Sequence, residues 1–396
     1  MANASRGFVE IGTYMVPKHR QHIAGDIFLS RKFREEDRTV SVLSDGLGSG
    51  VKANVLATLT ATMALRYSAS NCMDVMRSAE TIMDTLPICS VRKISYSTFT
   101  IVDIDTAGQA TVIEHGNPAF VVLRPDGEIE IEHSTYHPTK WHDRVVTKSV
   151  FRVALGDRVI FFSDGVTQAG TGEMATPLGW GRERVEEFIR ECVRRRSRAS
   201  AQDLAREIVE RALQFDHGHA KDDISCAVIY FRTPRKMLVA TGPPFAAEND
   251  SELANAVARF EGRKAICGGT TASIVGRLLD VDVEMELNQS IDPQIPPVAR
   301  MSGVDLVTEG TLTLGEVARV LEDGLSIDKM RPNAARRLLY MLMDSDVVQF
   351  MVGTRINEAH QDPNIPVELD LRRNIVKRIS AQLEQRYLKQ TSIRYL

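Results

Sequence analysis

The chain has 396 residues, 43% hydrophobic and 26% charged, with 49 Lys and Arg against 52 Asp and Glu for a net charge of −3. That size and composition suit a globular protein of about two domains, and the charge balance excludes an electrostatic footprint for nucleic acid or an acidic membrane. Five cysteines, at 72, 89, 192, 226 and 267, form no Cys-x-x-Cys pair, which argues against a zinc site or a disulfide framework and suits a reducing cytosol. The N-terminus has no apolar signal core, and no apolar run approaches the roughly 18 residues needed to span a bilayer, so a cytoplasmic, unexported chain is expected.

Residues 42–53 read VLSDGLGSGVKA, with glycines at 46, 48 and 50 after an apolar run. The spacing fits neither a P-loop nor a dinucleotide fingerprint. Its first polar group is a carboxylate, Asp45, at the end of the expected strand, and an acid there repels phosphate unless a cation lies between them. The spacing of Val51, Val55, Leu56, Leu59, Met63 and Leu65 predicts a helix over 51–68, and Ser70 or Asn71 caps a second one running to about residue 86. Strands follow at 96–105, 110–116, 119–124 and 128–133, joined by the turns DTAGQ and RPDGE, as in an antiparallel meander. A buried strand over 157–165 closes on a second Ser-Asp-Gly. Helices near 181–195 and 200–214, the polar turn DHGHAKDD (216–223) and a last strand at 224–231 complete this part. The basic run 190–198 reads as a solvated helix face. A central antiparallel sheet system with a helix pair on each side, an α+β arrangement, is expected.

After RTPRK (232–236) the pattern becomes α/β: a strand in MLVATGPP, then strand, glycine turn and helix over 264–279. The tail 326–396 reads as mostly helical, most clearly over 331–360. Two domains are expected, 1–234 and a smaller α/β domain over 237–396, the second open to a regulatory role. At the head of its first glycine-led helix, Gly268, Gly269, Thr270 and Thr271 read equally as an anion site and as a plain helix cap. Cys267 beside them reads as a buried small hydrophobe.

Acids recur where expected strands meet loops: Asp26 in AGDIF, Asp45 and Asp164 in the two Ser-Asp-Gly turns, and Asp222 or Asp223 in KDDIS. Hard divalent cations take oxygen ligands, and carboxylates gathered from separate strands supply them. Two such ions can activate water and brace an in-line attack on phosphorus. The glycine after each acid lets the main chain approach closely, so the Gly46 carbonyl joins the candidate ligands. One Asp-Gly alone is an ordinary turn.

The ordered motifs GDIF, SDGLGSGVKA, STFTIVDID, HGNPAFVVL, DRVIFFSDGVTQA and AKDDISCAVI resemble those of the metal-dependent serine/threonine protein phosphatases of the PPM type, in the bacterial branch named after stage II sporulation protein E, across residues 5–232. The resemblance implies a four-layer αββα sandwich. It also implies two Mn2+ or Mg2+ ions held by Asp26, Asp45, the Gly46 carbonyl, Asp164 and Asp222, with Asp223 ranked after Asp222. Catalysis would fall to Asp26, Asp45, Asp164 and Asp222, through a metal-activated water that attacks phosphorus with no phospho-enzyme. His115, in the altered HGNPAF turn, is read as structural, and Lys18, His19, Arg20 and His22 as solvated. The helix from about 50 to 68 corresponds to one that switches activity in this branch. The implied partner is a phosphoprotein, with a Ser-phosphorylated antagonist of an anti-sigma factor as the suggested class. A homodimer is compatible with the sequence, while nucleic acid and membrane are not expected. A second reading makes the first domain a catalytically weak module and the chain a binder acting through 237–396.

Overall fold

A computed structural model describes residues 7–33, 35–68, 81–83, 97–124, 129–137, 145–285, 298–355 and 365–396. The chain divides into two units, Met1–Thr233 and Pro234–Leu396. The first contains two antiparallel sheets. One has the order β1 (Phe8–Val16), β10 (Ile224–Arg232), β9 (Arg158–Phe162), β6 (Val121–Leu123). The other has the order β2 (Ile27–Phe33), β3 (Arg38–Gly46), β4 (Ser97–Asp105), β5 (Gln109–His115), β8 (Val146–Arg152), β7 (Ile131–Tyr136).

Alternation along the strands makes the layers. In β9, Val159 and Phe161 turn toward Leu43, Val102, Ile104 and Val112 of the other sheet. Ile160 and Phe162, between them, turn outward to Val185, Ile189, Leu204 and Ile208. These four belong to α3 (Arg182–Arg195) and α4 (Ala201–Phe215), which follow the single turn α2 (Asp164–Thr167). On the far side, Val40, Val42 and Ile101 meet Ala61 and Ala64 of α1 (Gly50–Ser68). Strands covered on both faces read as continuous apolar runs, and the result is an αββα sandwich. Arg158 is 1% exposed. Its guanidinium lies over the Tyr230 ring at 3.7 Å and donates to the Ser197 and Ala199 carbonyls at 2.9 and 3.1 Å, fastening the α3–α4 connection to the sheet.

Most expected elements of this unit fall within a few residues of the observed ones. The seven-residue β8 was not expected, because its sequence VTKSVFR is half polar and lacks a continuous apolar run. Of the second helix expected to about residue 86, only the helical residues 81–83 lie within the described residues, as Cys72 and Cys89 do not.

The second unit is one sheet of order β13 (Val283–Met285), β14 (Ala299–Met301), β15 (Val304–Thr308), β12 (Arg263–Cys267), β11 (Lys236–Thr241), β16 (Val347–Val352), β17 (Gln390–Tyr395). The five from β15 to β17 are parallel, and β13 and β14 pair antiparallel at one edge. Leu238, Ala240 and Ile266 face α5 (Asp250–Arg259) and α6 (Gly269–Leu279). Met237, Val239 and Ala265 face α7 (Thr311–Asp323), α8 (Ala334–Met343) and α9 (Ile365–Gln385). This is a doubly wound α/β sheet.

Here the expectation of a mostly helical tail is corrected. Residues 347–352, VVQFMV, form β16, and 390–395 form β17. A strand buried on both faces loses its period of two, and VVQFMV ran on from the helical pattern of α8 without a Gly or Pro to mark the break. No helix among the described residues is long and apolar enough to cross a membrane.

Candidate metal centre

The acids gather because matching strand ends do. In the β2–β3 ladder Ile27 pairs with Ser44, so Asp26 and Asp45 stand opposite each other just beyond it. In the β9–β10 ladder Phe162 pairs with Cys226, and the Ser163 amide continues to the Ser225 carbonyl at 3.0 Å, leaving Asp164, Asp222 and Asp223 at the same end. Asp223 joins the two sheets: its Oδ1 accepts from the Lys18 amide at 2.9 Å and its Oδ2 from the Gly25 amide at 2.8 Å.

Glycine is required at two contact points. A Cβ on Gly46 would lie 2.2 Å from the Ala53 carbonyl oxygen of α1, and one on Gly165 would lie 2.0 Å from the Asp223 carbonyl oxygen. Both glycines let main chains meet behind the acids.

Asp26 is 1% exposed, and neither of its carboxylate oxygens has a hydrogen-bond partner. The Ser225 hydroxyl is likewise buried without a partner. Burial pushes the Asp26 pKa above the usual carboxylate range. Ser225, Ser163 and Asp45 draw it back, although no hydrogen bond of normal geometry forms, while the charge of Asp223 raises it further. Asp45 is pushed up by burial and then by the charges of Asp26, Asp164 and Asp222. Asp164 is raised by burial and by Asp222, and its Oδ2 accepts from Gln168 Nε2 at 2.8 Å. Such a group of carboxylates holds protons unless a cation neutralises it. Among the described residues no three Asp, Glu, His or Cys side chains converge tightly enough to enclose an ion by themselves. A magnesium-like ion keeps several waters and takes one or two carboxylates, so the orphaned Asp26 oxygens beside Asp45 fit such an ion.

Asp222 has the Lys18 ammonium 3.8 Å away and accepts from the Asp223 amide at 3.0 Å. Asp223, expected among the ligands, has both oxygens engaged by amides. His115 is buried with Nδ1 3.0 Å from the Val145 carbonyl and packs against Phe99. Neighbouring Asn117 hydrogen-bonds the Thr98 and Thr100 hydroxyls. Gly268–Thr271 belong to the second unit. Sequence reasoning passed over Ser163, Ser225 and Gln168. The first two were visible as the serines flanking the acids in SDG and DDIS.

The family model of stage II sporulation protein E (SpoIIE) matches residues 35–232, half of the chain. The chain belongs to the SpoIIE family. As a SpoIIE member it is a phosphoprotein phosphatase. No curated protein matches it in sequence. Among solved structures, it is similar to the SpoIIE phosphatase domain from Bacillus subtilis, at 18% identity and TM-score 0.42, over 58% of this chain and 94% of that one. RsbX in complex with magnesium is 18% identical at TM-score 0.38, over 56% and 95%. A PPM Ser-Thr phosphatase from Mycobacterium smegmatis in complex with cacodylate is 15% identical at TM-score 0.37, over 56% and 97%.

Proposed function

We propose that the first unit hydrolyses phosphoserine or phosphothreonine on a regulatory protein with two divalent cations, Mn2+ or Mg2+. The observation that carries this is the Asp26 carboxylate, buried, with both oxygens lacking partners, opposite Asp45. In this reading Asp26, Asp45, the Gly46 carbonyl, Asp164 and Asp222 hold the ions. The chemistry such cations supply when bound is Lewis-acid activation of water and of the phosphoryl group. Gln168 orients Asp164 through its 2.8 Å hydrogen bond. Asp223 serves as a positioning residue that keeps Gly25, and hence Asp26, in place. Lys18, beside Asp222, puts a positive charge at the rim where a phosphate arrives. The substrate class, a Ser-phosphorylated antagonist of an anti-sigma factor, follows from the family resemblance.

The test is calorimetric titration of the chain with Mn2+ alongside hydrolysis of p-nitrophenyl phosphate and of a phosphoserine peptide. Asp45→Asn is expected to lose metal binding and hydrolysis while its circular dichroism is unchanged. Full activity in this variant would overturn the reading.

A further inference from the structure

The carboxyl ends of the parallel strands in the second unit carry a second group of unusual residues. In doubly wound sheets ligands sit outside those ends, where loops part to opposite faces. Thr241 pairs with Cys267, and Cys267 with Thr308, so three loops leave the sheet side by side. They touch: a Cβ on Gly310 would lie 3.5 Å from the Gly268 Cα.

Two helices start there, and they differ. The first amides of α7 are already satisfied, since Glu309 accepts from Thr311, Leu312 and Thr313 at 3.1, 2.8 and 3.4 Å. At α6 the capping position is Gly268, at φ +134°, which has no side chain to offer, and a Cβ on Gly269 would meet nothing within 4 Å.

Thr271 stands in the first turn of α6. It is 1% exposed and its hydroxyl has no hydrogen-bond partner. Helical Thr and Ser hydroxyls commonly bond the carbonyl one turn back, as Ser273 does to Gly269 at 3.0 Å. The Thr271 hydroxyl instead lies 3.2 Å from where a Gly268 Cβ would stand, aimed into the space the glycine leaves open. Gly242, on the adjoining loop, has the Arg372 guanidinium of α9 against it, with Nη1 2.6 Å from a Cβ position there.

We propose that Gly268–Thr271 binds the phosphoryl group of a phosphorylated small molecule, either free phosphate or a nucleotide. The opening amides of α6 and the Thr271 hydroxyl donate to it. Helix N-termini favour anions through their unsatisfied amides and dipole. Glu309, the nearby acid, directs its carboxylate to the amides of α7. The site does not depend on the phosphatase centre.

The test is calorimetry of the full chain carrying Asp45→Asn, in EDTA, with inorganic phosphate and with ADP as probes. Asp45→Asn and EDTA silence the first unit. Gly269→Asp adds a carboxylate where space is open and where a helix start tolerates it, so folding is retained and is checked by a thermal melt. Binding is expected to weaken at least about tenfold in Gly269→Asp, as a like charge beside an anion requires. It should also weaken in Thr271→Val and persist in Gly269→Ala. ADP binding with this pattern identifies a nucleotide site, and phosphate binding alone with this pattern identifies a site for the free anion. No heat with either probe at millimolar concentration, or binding indifferent to Gly269→Asp, overturns the proposal.

Discussion

Asp223 accepts a hydrogen bond from the Gly25 amide at 2.8 Å, lacing the start of β10 in one sheet to the approach to β2 in the other. The residue after Gly25 is Asp26. Removing the Asp223 carboxylate orphans the buried Gly25 amide, at about 1–3 kcal/mol, and the part-buried Lys18 amide, at less. Asp223→Ala is therefore expected to lower stability in urea denaturation by about 2–4 kcal/mol. It should also weaken Mn2+ binding about 10–100-fold, as loss of a ligand's support commonly does. Asp223→Asn keeps an acceptor and should recover part of both. Unchanged stability in the alanine variant would mean the amides find other partners.

The pH dependence of the metal-free protein follows from Asp26 and Asp45. Both are raised above their unfolded values, so their protonated forms favour the fold. Their contribution is complete below the usual carboxylate range and is lost as pH rises through the raised values. Without metal, melting temperature should fall between about pH 5 and pH 8 from this cause. Added Mn2+ should restore it, by about 2.7 kcal/mol at a hundredfold excess over Kd, with affinity rising with pH because binding releases protons. A metal-free melting temperature equal at both pH values, or a metal effect independent of pH, contradicts this.

Glu114 offers a check away from the acid cluster. It is buried, accepts from the Phe120 amide at 2.8 Å, and burial raises its pKa to about 7, with the amide and Arg182 opposing. Its share of stability is present below its unfolded pKa and lost as pH passes 7. Glu114→Gln, which keeps the acceptor, should be stabilised relative to the parent at pH 8 by up to about 3 kcal/mol, and little changed at pH 5. Differential melts at the two pH values read this directly.

Gly46 and Gly48 separate steric need from backbone strain. Gly46→Ala would drive a methyl to 2.2 Å from the Ala53 carbonyl oxygen, so α1 must shift, and hydrolysis and metal binding should both be lost. Gly48 has φ +107° with nothing within 4 Å, so Gly48→Ala should cost about 1–3 kcal/mol of strain without blocking the site. Equal effects of the two substitutions on Mn2+ affinity would refute the distinction.

The acids were legible because a carboxylate at a strand end followed by glycine is a strong local pattern, and the two Ser-Asp-Gly turns repeated it. What joins them was not. The hydrogen bonds from Lys18 and Gly25 to Asp223 span about two hundred residues of sequence, and no local pattern encodes such a pairing. Strands were read where turns punctuate them, as at DTAGQ. They were missed at β8, where polar residues interrupt the apolar positions, and at β16, where burial on both faces erased the alternation that marks a strand. The GGTT turn was visible in the sequence, but the unpartnered Thr271 hydroxyl that distinguishes it from a simple cap was not.

The registers of β1 and β11 also govern the order of events during synthesis. Phe8 of β1 pairs with Arg232 of β10, so the first sheet cannot close until nearly the whole first unit has left the ribosome. In the second unit β11 emerges first yet lies inside the sheet, between β12 and β16. Its partner β16 begins at Val347, leaving one side of β11 unpaired for more than a hundred residues of translation. Long-range pairings of this kind fold slowly and expose strand edges in the interval. The nascent chain therefore passes through two separate windows in which chaperone binding competes with aggregation.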